Sequence, residues 1–250
     1  MVRKFNDRTG ESNTNNYGSK MTIIKYDGAN DIIVEFENGY RKQTSYNSFK
    51  EGVVKTPYDK TVHGTGYVGE GNYQIYDKDN KSKKTKSYEV WSSMIRRCYS
   101  EEFQRKHPSY VDCTVCLEWH NYQIFSDWFQ SNYYEIEGEQ MNLDKDILIK
   151  GNKIYNPESS IFVPKKINSL FPKVDARRGS TPIGVQFIYN TYRAYSSNQY
   201  LGTYSTSEEA FIAYKRYKEN VIKDVANEYM GKIPLKLYYA LMTYEVEITD

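Results

Sequence analysis

The chain is 250 residues long, with 34 Lys/Arg against 32 Asp/Glu and a formal net charge of +2. That is length for one to three domains and a sizeable core, and the balance excludes a uniformly basic or acidic protein. Its apolar runs are far too short to span a membrane, and residues 1–6 lack the apolar stretch of a secretory signal. The expected setting is therefore cytoplasmic, with no membrane partner. Three cysteines, an odd number, fit a reducing compartment better than a disulfide framework.

Charge is unevenly spread. Residues 78–106 carry nine Lys/Arg against four Asp/Glu, and residues 145–178 carry eight against three. Such local basic patches suit a nucleic-acid binder, and they read equally as solvated faces. The 26 tyrosines have apolar bodies and polar tips, so they serve cores, wet interfaces and base stacking alike.

In chain order, residues 1–16 are polar and expected to be flexible. Residues 17–76 read as a small antiparallel, barrel-like β module. Residues 21–26 and 32–37 are β-branched and alternating, and Asn38-Gly39 marks a hairpin. The glycines at 64, 66, 69 and 71 punctuate a loop; no helix and no Lys-Ser/Thr follow, so a phosphate-binding loop is not expected. Residues 77–87 form a charged linker. A helix then places Tyr88, Trp91, Met94/Ile95 and Cys98 on one stripe, and a second helix over 117–130 buries Trp119, Tyr122, Phe125/Ile124 and Trp128/Phe129. Next come two short strands, joined at Gly151-Asn152, and a helix opening after Pro164. The last unit, 176–250, reads as three strands and a helix opened by the Thr206/Glu209 capping box, with Ala210, Ala213/Tyr214, Tyr217, Val221 and Val225 on its inner face. Ile233-Pro234 ends that helix and a tail follows. The expected class is α+β.

The pair Cys113-x-x-Cys116 has zinc-ligand spacing, and Cys98 with His107 or His120 would complete a set. A single such pair, with Cys98 on an apolar stripe, favours packing instead, so zinc is not expected.

Several fragments occur in an ordered set: Trp91-x-x-Met94-x-x-Arg97-Cys98, Val115-Cys116-x-x-Trp119, Phe125-x-x-Trp128, Leu143-Asp144-Lys145 and Tyr155-x-Pro157-Glu158-Ser159. Together they resemble a class of phage HNH-like proteins, whose nuclease motif is a ββα finger. This central domain would run over 88–175. The last unit resembles the ethylene-response-factor-type domain that phage homing endonucleases carry beside such a finger. Its matching signals are Gly184-Val185, Tyr192-Arg193-Ala194, Leu201-Gly202-Thr203-Tyr204 and Glu209-Ala210-x-x-Ala213-Tyr214.

The resemblance implies roles. Asp144 matches a metal ligand on the first finger strand and Asn168 the second ligand on the helix, for Mg2+ or Mn2+; a register shift would exchange Asp144 and Asp146. Lys145 stands where active members keep the general-base His. A neutral imidazole removes a proton near neutral pH, whereas an ordinary Lys, with a pKa of about 10.4, stays charged and repels a metal. Lys145 can instead hold a phosphate. The other histidines, His63, His107 and His120, are in polar or edge settings. In the last unit, Gln186, Tyr189, Arg193 and Tyr195 are candidate base-reading residues, or half of them are core residues by alternation. Candidate phosphate contacts are Lys173, Arg177 and Arg178, and Arg96, Arg97, Lys165 and Lys166 are further candidate DNA-binding residues.

The expected partner is thus double-stranded DNA. The leading expectation is a site-specific homing-type endonuclease, degenerate if Lys145 disables it; the alternatives are a non-catalytic binder or regulator derived from one, or a protein-binding inhibitor of a host defence system.

Overall fold

The structure is a computed structural model and describes residues 6–171 and 181–248. The chain is mixed α+β and divides into two compact units, Met1–Gln130 and Ser131–Asp250.

The first unit opens with an antiparallel meander in the order β1 (Ser12–Thr14), β2 (Lys20–Gly28), β3 (Asp31–Phe36) and β4 (Arg41–Thr44). The period-two pattern buries Met21, Ile23, Ile32, Val34 and Phe36 on one face, against Phe49 of α1 (Tyr46–Lys50) and Val54. The β3–β4 turn has Gly39 at φ +83°, with Gly39 N–H donating to Phe36 C=O. This three-residue loop needs a left-handed third residue, which glycine supplies. The sheet ends at β1 and β4, so it is an open meander rather than a closed barrel.

The charged stretch after Tyr76 is folded back on itself. Asp77 N–H donates to Lys83 C=O and Thr85 N–H to Ile75 C=O. Thr85 then caps α2 (Lys86–Tyr99). The stripe on α2 is buried as its spacing demands, with Trp91, Met94, Ile95 and Cys98 inside. Trp91 Nε1 donates to Trp119 C=O at 2.8 Å. After α3 (Glu101–Lys106) and a two-residue strand, β5 (Thr114–Val115), comes α4 (Tyr122–Asn132).

Residues 117–130 are not one helix. Leu117–His120 is a 3-10 turn, and the chain breaks at Asn121. The cause lies in the glycine run: Tyr67 N–H donates to His120 C=O, and Tyr67 C=O accepts from Tyr122 N–H, which takes those groups out of a continuous helix. The same glycines let the backbone approach closely. A Cβ on Gly66 would lie 2.9 Å from the Trp91 ring, and one on Gly69 or Gly71 would overlap Asn121 or Gln123. Ile124, expected inside, is exposed, while Phe125 and Phe129 fill the core.

In the second unit, β6 (Met141–Asp144) is followed by β7 (Ile154–Tyr155), β8 (Ile161–Pro164) and the single-turn α5 (Lys165–Asn168). β6 pairs antiparallel with β8, Met141 opposite Pro164 and Asp144 opposite Ile161. The strand-strand-helix order matches expectation. β6 and β8 are joined by a long segment, 145–160, that includes β7, rather than by a tight turn at Gly151-Asn152. Three further strands, β9 (Val185–Ile188), β10 (Thr191–Ser196) and β11 (Gln199–Tyr204), form a sheet with β10 in the middle. The Thr206/Glu209 capping box is complete and opens α6 (Ser207–Glu228). The expected tail contains α7 (Leu235–Met242), whose Leu237 and Leu241 sit one turn apart and are fully buried.

α6 serves two cores. Its first turn packs Ala210 against Val185 and Ala194 of the sheet. Its later turns bury Ile222, Val225 and Ala226 with Ile161, Val163 and Ile167 of the β8–α5 segment and with α7. Tyr217, expected on the inner face, is 37% exposed.

Gly184, at φ +74°, lies flat against the Tyr214 ring, where any Cβ would overlap it. Gly184→Ala is expected to destabilise the protein by about 2–4 kcal/mol, from overpacking plus left-handed strain. Gly231→Ala, also at positive φ (+76°) but facing open space, should cost about 1 kcal/mol. Urea denaturation of both variants checks the contrast.

Candidate functional site

Two places in the second unit hold the candidate residues. The first is the loop that follows β6. Asp144 Oδ1 accepts from Asp146 N–H at 2.9 Å and from Ile147 N–H at 2.8 Å. The carboxylate therefore fixes the turn that starts the loop. Lys145 is 7% exposed. Its Nζ lies 3.2 Å from Asp146 Oδ2 and 5.8 Å from the centre of the Tyr155 ring.

The rest of the loop is tied by side-chain amides. Asn152 Nδ2 donates to Lys145 C=O at 2.6 Å and to Ile154 C=O at 2.7 Å. Asn156 Oδ1 accepts from Ser159 N–H at 2.8 Å, and Ser159 and Ser160 are buried. Asn, Ser and Pro at these positions satisfy a loop core that has few ladder bonds.

Electrostatics follow from this packing. Burial first, then repulsion from Asp146, pushes the Asp144 carboxyl up to about 6; the N–H groups of Ile147 and Asp146 and the Lys145 charge pull the other way. Asn168 ends α5, a helix that packs against β6 and β8.

The donors here are hard oxygens of the type that holds Mg2+. Yet Asp144 Oδ1 already takes two backbone bonds, and the Lys145 ammonium already neutralises Asp146. A divalent ion would have to displace that ammonium, so the residues as arranged do not fit a metal centre. Lys145 itself is enclosed and ion-paired, which withdraws it both from base chemistry and from an exposed phosphate.

The second place is the face of the β9–β11 sheet turned away from α6. Val185, Ala194 and Gly202 are opposite one another on the helix side. Alternation then puts Gln186, Arg193 and Thr203, also cross-strand partners, on the outer side. Tyr195 pairs with Tyr200, ring centres 5.4 Å apart, and Tyr200 Oη is 2.8 Å from Thr203 Oγ1. Arg193 lies with its guanidinium 5.8 Å from the Tyr189 ring centre.

Sequence reasoning missed Tyr200 and Thr203. A strict two-residue period separates them, but a bulge between Ala194 and Tyr195 shifts the β10–β11 register and returns Tyr200 to the side of Thr203. Gly202 in β11 was the available signal, since an isolated strand glycine often marks a bulge.

The other candidates are dispersed. Arg96 and Arg97 on α2 lie over the Phe103 and Tyr110 rings, at 4.9 and 5.7 Å. Lys165 is exposed on α5, whereas Lys166 pairs with Glu228. Lys173, Arg177 and Arg178 lie outside the described residues. In the first unit, Cys98 is a core residue and Cys113 Sγ points to Ser109 C=O at 3.7 Å. His120 Nε2 is 3.1 Å from Tyr99 Oη. Compared with known protein families, curated proteins and solved structures, the chain matches none.

The Asp144 shift has a testable sign. Its folded carboxyl is raised to about 6, above an unfolded value of about 3.9. Its contribution to stability is therefore full below that unfolded value and lost as pH rises through about 6. Asp144→Asn keeps an acceptor oxygen without the charge. Relative to native protein, the variant should gain about 1–3 kcal/mol between about pH 4 and pH 7 in urea denaturation. A difference that stays flat across that range would contradict the burial of the charge.

Proposed function

We propose that this is a double-stranded DNA-binding protein that reads its target with the outer face of the β9–β11 sheet and does not cleave it. The observation that carries the reading is the cross-strand row Gln186, Arg193 and Thr203, bordered by Tyr189, Tyr195 and Tyr200. In the DNA major groove, Arg is the bidentate partner of guanine, Gln that of adenine, and Thr bonds or packs on either strand's bases. Strands can enter that groove. Tyrosines at the border can pack on sugars and methyl groups. Lys165 is available for a phosphate.

The resemblance to phage HNH-like proteins with an appended reader supports the same partner, in the cytoplasm of a bacterial host. Within that resemblance the ββα segment acts as a scaffold, because the residue in the place of the catalytic His is an enclosed, ion-paired Lys145. The other reading that the resemblance offers, metal-dependent cleavage with Mg2+ or Mn2+, would need a cation to displace the Lys145 ammonium from Asp146.

Mobility-shift and supercoiled-plasmid nicking assays in the same tubes separate these readings. Binding is expected to weaken steeply with added salt, to be unchanged by EDTA, and to leave the plasmid intact. Arg193→Ala should cost about 1–3 kcal/mol of specific binding. Nicking that requires Mg2+ or Mn2+ and disappears in Asp144→Ala would replace the binder with a nuclease. Neither nicking nor a shift, together with a stable complex with a defence protein, would move the reading to an inhibitor.

A further inference from the structure

Tyr189 stands apart from the row it borders. It is the first of two turn residues between the paired Ile188 and Thr191. Tyr189 and Asn190 both have positive φ, 49° and 60°. This is the hairpin turn that matches strand twist, and it favours Asn, Asp or Gly at both positions. Asn190 conforms. Tyr189 does not, because its Cβ crowds the backbone in this region, and its ring is 87% exposed. The strain is therefore not repaid by burial of the ring.

Beside the ring lies a second anomaly. Arg193 Nε is enclosed and has no hydrogen-bond acceptor, although buried donors are almost always paired. An exposed aromatic plane and a donor lacking an acceptor thus sit together at one end of the sheet face, with the guanidinium 5.8 Å from the ring centre. A nucleobase offers the complement of both: a flat π face for the ring and edge acceptors for the guanidinium fork.

We propose that Tyr189 and Arg193 form a capture site for a single base unstacked from the bound duplex. The inference rests on the DNA-binding reading above and adds to it a local deformation of the DNA. Tyr189 supplies the stacking surface. Arg193, once its guanidinium shifts from beneath the ring, presents Nε and a terminal nitrogen to the base edge. Unstacking a base from an intact duplex costs free energy, least at a mismatched or unpaired position. A capture site therefore prefers DNA in which that cost has already been met.

The test is competition binding of the full chain, at low salt, between a fully paired duplex and the same duplex with one unpaired bulged nucleotide. The native protein is expected to prefer the bulged duplex by roughly fivefold or more, the scale of one base stacked on an aromatic ring. Tyr189→Phe should retain the preference. Tyr189→Gly should abolish it and yet fold well, since glycine suits the turn better than tyrosine. Arg193→Lys keeps the charge without the planar fork and should reduce the preference. Equal affinity of the native protein for both duplexes, or a preference that survives in Tyr189→Gly, overturns base capture while leaving duplex binding standing. If the native protein binds neither duplex, the DNA reading itself fails and the capture site with it.

Discussion

Both units depend on large aromatic rings lying directly on bare backbone. In the first, Gly66 meets the Trp91 ring, and Trp91 in turn donates to Trp119 C=O. In the second, Gly184 lies on Tyr214. A ring on glycine gains close dispersion contact over a flat area, but it forbids any other residue at that position. The packing of Gly66 on Trp91, with Gly69 and Gly71 held against the Asn121 and Gln123 side chains, accounts for three of the four glycines at 64–71. It brings the loop carrying Tyr67 close enough to exchange hydrogen bonds with His120 and Tyr122, and that exchange ends the 3-10 turn before α4.

The loop after β6 shows how a basic residue can be enclosed without a large penalty. Lys145 has Asp146 beside its ammonium and the Tyr155 face nearby, and Asn152 holds its carbonyl. Charge, ring and amide each replace part of the lost hydration. Asp144 is driven up by its own burial and by Asp146, while the Lys145 charge pulls its carboxyl down. Removing one partner of such a group leaves the other uncompensated, so these residues act together.

Much of the architecture was legible in the residues. The alternation in 21–26 and 32–37, the Asn38-Gly39 turn, the α2 stripe and the Thr206/Glu209 box each encode a local preference that tertiary contacts do not override. The break at Asn121 was not legible, because it depends on hydrogen bonds from a loop more than fifty residues earlier, between Tyr67 and the 120–122 segment. α7 was missed because Leu237 and Leu241 gain their burial only once α6 is in place. At the candidate site, spacing picked out Gln186, Arg193 and Tyr195, which share the outer face. It could not find Tyr200, because a bulge changes which residues face outward, whereas Thr203 follows from plain alternation opposite Arg193. Nor could it say that Lys145 is enclosed, which depends on how the 145–160 loop closes.

α6 also constrains how this protein can change over generations. One end of the helix closes the three-stranded sheet and the other end closes the β8–α5 segment. Exchange of parts by recombination works best where a cut leaves two intact cores. Here a crossover within residues 210–226 would split two cores at once, and a crossover before the sheet would strip β8 of the surface it packs on. The sheet and the strand-strand-helix segment are therefore expected to be inherited as one piece, and change on the outer face to arise by substitution.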